Sequence, residues 1–309
     1  MKQASNWRHY ADTGIEAERK LFGLKRLLCY VAGIVFLIIF LLELQKDLCY
    51  GNTLMLALEE NVGNQQEAFR SMELSDETLE AAIEHSRYEA AVEELYFADA
   101  FQEQKDIRYG ILQIAAPFNK KASLAGRWFI KNIRLRNIST EEWNGYLDAY
   151  RTILEDVKCF PVLKDTAGQV GWSFENSWGS IRTYGGKRRH EGTDIMAGNN
   201  ERGYFTIVSV SDGIIEKKGW LEQGGYRLGV RSPSGAYYYY AHLYDYANLE
   251  EGDRVNAGEV LGRMGDTGYS KIEGTTGNFD VHLHFGIYMD VDGKETSVNP
   301  YYILRYLDK

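Results

Sequence analysis

The stretch "DVHLHFGIY", residues 280–288, places two histidines one residue apart between apolar neighbours. The chain has only 6 histidines in 309 residues, so their pairing calls for a chemical reason. In a β-strand, residues i and i+2 project to the same face, so His282 and His284 would point together and their apolar neighbours the other way. Two adjacent imidazoles are costly to bury unless their nitrogens have partners. The pattern therefore predicts a strand with one core face and one chemically active face.

Two other segments carry a histidine in the same half of the chain. In "RRHEGTDIMAG", His190 and Asp194 lie four residues apart, and "YYYYAHLY" carries His242 at the end of an aromatic run. "HEGTD" begins like the helical H-E-x-x-H zinc motif, but its fifth residue is aspartate and Gly192 weakens a helix. On an extended segment Glu191 would point away from His190. We therefore interpret Glu191 as incidental.

Two imidazoles and one carboxylate can form a tetrahedral zinc site that leaves one position open for water. Taken together, His190, Asp194 and His284 would supply these ligands. His242 and His282 would then lie beside the metal as unligated imidazoles for proton transfer or oxyanion stabilisation. Zinc lowers the pKa of bound water to about 7, which provides a nucleophile for amide hydrolysis. Spacing alone does not decide which histidine of the pair binds the metal.

The part of the chain that carries these histidines, residues 160–309, has the pattern of a β domain. Glycine is frequent there, and short β-rich runs such as "YFTIVSV" and "GGYRLGVRS" are separated by turn signals such as Asp212-Gly213 and Ser234-Gly235. Strands at this spacing indicate a compact antiparallel β domain. With the helical region that precedes it, the chain is predicted to be of the α+β class.

Four motifs in the order "RRHEGTDIMA", "YYAHLY", "GRMGDTGYS" and "VHLHFGIY" resemble the LytM/lysostaphin family of zinc endopeptidases, which cut peptide bonds of bacterial peptidoglycan. The resemblance covers residues 177–307, less than half of the chain. It implies an antiparallel β-rich peptidase domain of the duplicated hybrid motif type. It also implies the following roles: zinc ligands His190, Asp194 and His284, and catalytic histidines His242 and His282.

One departure from the family lies between the G-x-T-G-x-S turn and the histidine strand. The segment "KIEGTTGNFDV", residues 271–281, is longer than the few residues that the family usually has there. It would shape substrate choice, cover part of the metal, or be simply a longer loop. Tyr184, in "RTYGGKRRH", is a further candidate for the cleft.

A non-hydrolytic role is the alternative to an active peptidase. Some members of the family have lost catalysis and instead activate other wall hydrolases or join envelope assemblies of division or sporulation. Loss of metal ligands would distinguish such a scaffold in sequence, whereas all five metal and catalytic positions carry competent residues here. We therefore expect a zinc metalloendopeptidase that acts on peptidoglycan peptides.

Residues 45–159 are acidic and helical in character. Residues 74–104 contain neither glycine nor proline and are rich in glutamate and alanine. Ser139 and Glu142 have the spacing of a capping box, and a helix that starts there would carry an apolar stripe. The stripe comprises Trp143, Tyr146, Leu147, Tyr150, Ile153 and Leu154. We expect a helical stalk or small helical domain that holds the peptidase domain away from the membrane and offers a surface to an envelope partner.

An uncharged run near the start, "LLCYVAGIVFLIIFLL" at residues 27–42, predicts a membrane anchor. At 1.5 Å per residue it spans about 24 Å, somewhat less than a hydrocarbon core of about 30 Å, so a core helix or a cleaved signal peptide are alternatives. The run is not followed by a small-residue cleavage pattern. Basic residues concentrate before it, and only Lys46 lies just beyond, which predicts a cytoplasmic N-terminus. We expect a tail at residues 1–26, a single-pass anchor at residues 27–44 in a bacterial cell membrane, and an extracytoplasmic peptidase domain.

Charge and cysteine content exclude further classes. A formal net charge of −9 and the lack of a basic, aromatic-interleaved patch argue against a nucleic-acid partner. The 3 cysteines do not form a disulfide framework, because Cys29 falls in the predicted anchor and leaves only Cys49 and Cys159 outside. Nothing around Cys159 indicates an activated thiolate.

Overall fold

More of the described residues lie in antiparallel strands than in helices. The computed structural model describes residues 34–35, 38, 65–97, 139–164, 170–291 and 293–309. Within these residues, ten strands form one sheet and two more form a separate hairpin. The strands are β1 (Trp172–Phe174), β2 (Ile181–Arg182), β3 (Arg188–Arg189), β4 (Thr193–Ala197), β5 (Thr206–Val208), β6 (Gly213–Leu221), β7 (Gly225–Arg231), β8 (Tyr237–Tyr246), β9 (Arg254–Val255), β10 (Val260–Met264), β11 (His282–Val291) and β12 (Lys294–Val298).

Strand β11 lies at the centre of the sheet. The strand order is β1-β4-β11-β8-β7-β6-β9, with β12 paired to β11 and with β10 bridging β5 and β8, while β2 and β3 form the hairpin. Each of these pairings is antiparallel. The antiparallel β-rich domain predicted for this part of the chain is therefore confirmed.

Alternation along β11 separates a core face from a site face. The side chains of Leu283 and Phe285 are at most 1% exposed. His282 and His284 instead point away from the core toward Asp194. The tyrosine run of β8 alternates in the same way, because the rings of Tyr238 and Phe285 stack within the core. The period of two read from the sequence thus holds along the start of β11 and in the tyrosine run of β8.

Five helices are present among the described residues: α1 (Gln65–Ser71), α2 (Asp76–Ile83), α3 (Glu89–Phe97), α4 (Thr140–Leu154) and α5 (Tyr301–Leu307). Helix α4 begins as predicted, since the Ser139 hydroxyl accepts the Glu142 backbone N–H at 3.0 Å. Its predicted stripe is the inward face: Trp143, Tyr150, Ile153 and Leu154 are buried, and Tyr146 and Leu147 are partly buried.

Helices α1–α4, in the region predicted to be a helical stalk or a small helical domain, pack against the β domain. The Tyr238 hydroxyl donates to the Ile153 carbonyl oxygen at 3.0 Å, and Arg70 Nε donates to the Ser297 carbonyl oxygen at 3.0 Å. Buried side chains of the helices and of the strands belong to one hydrophobic core. Helix α4 packs in this way because its apolar stripe is more stable against the sheet than facing water.

No helix within the described residues has the length and apolar character needed to cross a membrane. The anchor predicted at residues 27–44 falls almost entirely outside these residues, and only Ile34, Val35 and Ile38 of it are described. The anchor therefore stays a prediction.

Candidate metal centre

Strand pairing brings three of the predicted site residues together. His284 on β11 pairs directly with Asp194 on β4, and on its other side with Ala241 on β8. His190 is buried in the turn that leads from β3 into β4. Because cross-strand partners project to the same face, the carboxylate and the two imidazoles meet on one face of the sheet.

The three candidate ligand atoms form a nearly equilateral triangle. His190 Nε2 lies 2.9 Å from His284 Nδ1 and 3.0 Å from Asp194 Oδ1. His284 Nδ1 lies 3.0 Å from the same carboxylate oxygen. Ligands at about 2.0–2.1 Å from a tetrahedral zinc ion lie about 3.3 Å apart, so a small expansion of the triangle would seat the ion. The structure brings together the ligand set predicted from the sequence.

Hydrogen bonds around the triangle leave its lone pairs available for a cation. His190 Nδ1 lies 3.0 Å from the Ser177 carbonyl oxygen, and because a carbonyl only accepts, Nδ1 carries the proton and Nε2 the lone pair. Burial opposes ionisation of Asp194, but hydrogen bonds donated by His190 and His284 in their protonated forms hold the pKa of its carboxyl well below the usual range, so positive charge facing this oxygen is favoured. Burial lowers the pKa of His284, which favours the neutral ligand form. Three lone-pair donors that face one another suit a bound cation.

Arg182 supports the second oxygen of Asp194. Its Nη2 donates to Asp194 Oδ2 at 2.5 Å and lies 3.1 Å from His190 Nδ1. The guanidinium therefore holds the carboxylate so that Oδ1 faces the imidazoles. Sequence reasoning missed Arg182, because its role depends on the β2–β3 hairpin turning it toward a carboxylate 12 positions away.

Gly192 occupies a point where no side chain fits. A Cβ there would lie 2.5 Å from the Phe285 carbonyl oxygen and 2.7 Å from His284 Nε2. The segment between His190 and β4 can therefore approach β11 this closely only with glycine. Glu191 is exposed and stands outside the metal-ligating set, in agreement with its interpretation as incidental.

A β-bulge turns His242 onto the site face. Within β8, Tyr240 fills the core, and strict alternation would send His242 to the same side. The pairing of β7 with β8 shifts register between Tyr226 and Leu228, and His242 has a positive φ of 63°. This irregularity turns the His242 side chain toward the site face. The centre of its ring lies 4.7 Å from the centre of the His282 ring.

The two unligated histidines share one hydrogen-bond arrangement. His242 Nδ1 lies 2.7 Å from the Thr267 carbonyl oxygen, and His282 Nδ1 lies 2.7 Å from the Asp280 carbonyl oxygen. Each Nδ1 therefore donates, and each Nε2 is left to exchange a proton. Burial lowers the pKa of His242 well below its usual value, which keeps this imidazole neutral at pH 7. His282 Nε2 lies 3.8 Å from an oxygen of the metal triangle, Asp194 Oδ1.

The insertion at residues 271–281 brings an aromatic side chain to the site. The Phe279 ring lies 4.6 Å from His242 and 5.0 Å from His282, centroid to centroid. It also contacts Tyr269 at 4.8 Å, and Tyr184 stacks on Tyr269 at 4.4 Å. An aromatic row therefore lies along both histidines, and Tyr184 stands at its far end. Sequence reasoning identified the insertion and Tyr184 but did not single out Phe279.

Two other candidates lie away from the site. Cys159 is a free thiol that donates to the Ser209 carbonyl oxygen at 3.2 Å, and burial raises its pKa, which opposes thiolate formation. His85 is exposed in the helical region. Cys49 and His9 lie outside the described residues.

Comparison with known proteins gives one family. Residues 188–300 match peptidase family M23. Over 138 residues the chain is 41% identical to the L-Ala--D-Glu endopeptidase of Bacillus subtilis (strain 168). This alignment covers 44% of this chain and 41% of that protein. Over 101 residues it is 33% identical to the glycyl-glycine endopeptidase ALE-1 of Staphylococcus capitis, covering 32% of this chain and 25% of that protein. The chain thus spans less than half the length of these two relatives.

A solved structure aligns over more of the chain. The crystal structure of a Ruminococcus gnavus ATCC 29149 protein assigned as a glycyl-glycine endopeptidase, lytM, is 42% identical with a TM-score of 0.59. The alignment covers 78% of this chain and 90% of that one. The motif order, the antiparallel fold and these similarities lead to one conclusion. The chain belongs to peptidase family M23, among its LytM- and lysostaphin-like members.

Proposed function

We propose that this chain is a zinc metalloendopeptidase that hydrolyses peptide bonds of bacterial peptidoglycan. The observation that carries the proposal is the triangle of His190 Nε2, Asp194 Oδ1 and His284 Nδ1, with two further imidazoles beside it. Two imidazoles and one carboxylate are a donor set typical of catalytic zinc. When bound, zinc would supply an activated water as the nucleophile.

The remaining chemistry would fall to side chains of the chain itself. His242 is neutral with Nε2 unprotonated, so it would accept the proton of the attacking water. His282 would share the proton transfer and stabilise the oxyanion of the tetrahedral intermediate through Nε2. Phe279 shields both imidazoles on one side, which would limit competing water.

The substrate class follows from the family, and the bond is left to experiment. One relative is named for an L-Ala–D-Glu bond and another for a glycyl-glycine bond. Both names describe peptide hydrolysis, which supports a peptide substrate for this chain. Peptidoglycan is the proposed polymer because it is the substrate that the resemblance implies.

We also propose the location predicted from the sequence. The apolar run at residues 27–44 would anchor the chain with its N-terminus in the cytoplasm, and the metal centre would face the cell wall. Protease treatment of intact bacterial cells should digest the part that carries the metal centre and spare residues 1–26. Protection of the whole chain in intact cells, with digestion after lysis, would overturn this orientation.

The decisive test uses the full chain, purified in detergent and loaded with zinc. Incubation with peptidoglycan should release fragments with new peptide termini, and mass spectrometry would identify the bond. A chelator should abolish the release, and added zinc should restore it. No new termini from several wall chemistries, with zinc confirmed bound, would overturn the hydrolase and leave the non-hydrolytic scaffold.

A further inference from the structure

Two arginines near the metal centre have no carboxylate partner. Arg188 Nε and Arg227 Nη1 are buried, and neither has a hydrogen-bond partner in the part of the chain that the structure describes. Five other arginines of the β domain are paired: Arg182 with Asp194, Arg189 with Glu67, Arg202 with Asp266, Arg231 with Glu216 and Arg263 with Asp245. A half-buried guanidinium without an acceptor is costly, so these two groups call for an explanation.

Strand geometry places Arg188 on the same side as the metal ligands. Arg188 and His190 are two residues apart in an extended segment, so their side chains project together. Arg189 between them projects the opposite way, where it pairs with Glu67 of helix α1 at 3.0 Å. Arg188 also lies directly across the β2–β3 hairpin from Arg182. The Asp194 carboxylate is already occupied by Arg182 and the imidazoles.

Arg227, on β7, lies on the same face of the sheet, across β8 from β11. Tyr239 pairs with Gly286 on β11 and with Gly229 on β7, and its ring lies 5.9 Å from the ring of His284. Burial raises the pKa of the Tyr239 hydroxyl, while the positive charges of Arg227 and Arg188 oppose the rise. Both guanidinium groups therefore lie within electrostatic range of one hydroxyl beside a metal ligand.

Carboxylates on this face of the sheet are engaged elsewhere. Glu216 accepts two hydrogen bonds from Arg231 at 2.6 and 2.8 Å, and Glu295 lies 3.8 Å from the same guanidinium. The Arg231 guanidinium in turn lies 4.8 Å from the centre of the Tyr237 ring. Neither of these two carboxylates therefore pairs with Arg188 or Arg227.

We propose that Arg188, Arg227 and Tyr239 form a subsite that binds a carboxylate of the substrate peptide. A guanidinium is a fork of donors that matches a carboxylate, and such charge-assisted bonds are stronger than neutral ones. The ring of Tyr239 lies 5.9 Å from the ring of His284, so the bound carboxylate would lie on the same face of the sheet as the candidate metal ligands. The subsite rests on the proposed peptidase function and specifies its substrate as an acidic peptide.

The test compares forms of one peptide with the full zinc-loaded chain. The probes are L-Ala–γ-D-Glu–L-Lys–D-Ala with all carboxylates free, with the D-Glu carboxylate amidated, and with the C-terminal carboxylate amidated. Calorimetry should show binding weakened about tenfold or more by one of the two amidations, which identifies the carboxylate that is bound. In the double variant Arg188→Gln/Arg227→Gln this preference should disappear.

Arg254→Gln is the matched control, because Arg254 is exposed and lies on β9 at the edge of the sheet path. It should keep the preference for the free carboxylate. The double variant should melt at the same temperature as the wild type or higher, since it removes unpaired half-buried cations. The double variant Arg188→Lys/Arg227→Lys, which retains the charge, should restore part of the preference.

Equal binding of the free and amidated peptides would overturn the subsite, and so would a preference that persists in the double variant. No measurable binding of any form would overturn it as well. Failure of the proposed function gives a different pattern, in which selective binding of the acid persists but the zinc-loaded chain produces no new termini.

Discussion

Asp194 and His284 are direct cross-strand partners on β4 and β11, and their ligand atoms lie 3.0 Å apart. Opposite residues in an antiparallel pair have Cβ atoms about 4.5–5.5 Å apart, a spacing maintained by the backbone ladder. Two of the three candidate ligands are therefore positioned by the sheet itself. The third, His190, depends on the turn at Gly192 and on its bond to Ser177. Such a site is organised before metal arrives.

Replacing either sheet ligand should remove metal binding. Loss of a group that only supports a metal ligand costs about 10–100-fold in metal affinity. For Asp194→Ala and His284→Ala, which remove a ligand itself, we expect a larger fall in zinc affinity. Chelator competition would measure the affinity. His85→Ala, at an exposed histidine of the helical region, is the control and should bind zinc normally. Stoichiometric, tightly held zinc in either ligand variant would contradict the assignment.

The two unligated histidines should separate catalysis from metal binding. His242→Ala and His282→Ala should each retain zinc, because neither ring belongs to the metal triangle. Peptide hydrolysis should fall by about 10²–10⁴, the usual contribution of a general acid or base. The measurements are zinc content and initial rate on the same preparation. Full activity in His282→Ala would contradict the assignment of His282 to catalysis and not to metal binding.

The lack of space at Gly192 predicts a steric effect on the metal site. Gly192→Ala places a Cβ 2.7 Å from His284 Nε2, so the ring or the turn must shift. We expect weaker zinc binding and a loss of about 1–3 kcal/mol in the free energy of unfolding. Gly171→Ala is the matched control, since a Cβ there meets no atom within 4 Å. Identical zinc affinity in the two variants would show that the ring tolerates the contact.

Arg182 should act through Asp194. In Arg182→Gln the carboxylate loses the donor at Oδ2 and gains freedom to rotate, so zinc affinity should fall by about 10–100-fold. Arg182→Lys should recover part of the loss, because it retains the charge but not the fork of donors. Arg263→Gln breaks an exposed pair with Asp245 and serves as control. Chelator competition reports all three, and a normal affinity in Arg182→Gln would exclude the positioning role.

Stability of the metal-free protein should decline in mild acid. Burial lowers the pKa of His242 and of His284 below the value near 6.5 that they have in the unfolded chain. Below about pH 6.5 the unfolded state therefore binds more protons than the folded state, and the free energy of unfolding falls as the pH falls. Urea unfolding of chelated protein at a series of pH values would measure this decline.

The histidine origin of that decline can be tested by substitution. His242→Gln should make the pH dependence shallower, whereas His85→Gln, at an exposed position, should leave it unchanged. If the wild-type protein gained stability on acidification below about pH 6.5, the sign of the linkage would be wrong.

Local periodicity explains why much of the site could be predicted. Whether His282 and His284 share a face depends only on the alternation of side chains along an extended backbone. The start of helix α4 at Ser139 is equally local, because the capping hydroxyl and the N–H that it accepts are three residues apart. The choice of His284 as the ligand of the pair came from the resemblance to a family, which the order of the motifs supports.

Long-range contacts explain what could not be predicted. His242 reaches the site through a bulge that exists only because β7 and β8 pair with a register shift, whereas alternation alone would bury it with Tyr240. Arg182 and Phe279 matter through partners that the fold brings to them. The apolar stripe of helix α4 was predicted, but the sheet on which it is buried is a long-range partner that the stripe does not specify.

The sequence by itself determined the strand that presents two histidines to one face and the β class of the domain, because these follow from residue type and backbone periodicity. The choice of His284 over His282 as a candidate ligand came from the resemblance to a family. Only the tertiary structure decided which side His242 faces, which groups orient Asp194, and that Arg188 Nε and Arg227 Nη1 are buried without a hydrogen-bond partner in the described part of the chain. These features depend on strand register and on side chains far apart in the chain, and neither is encoded in any local segment.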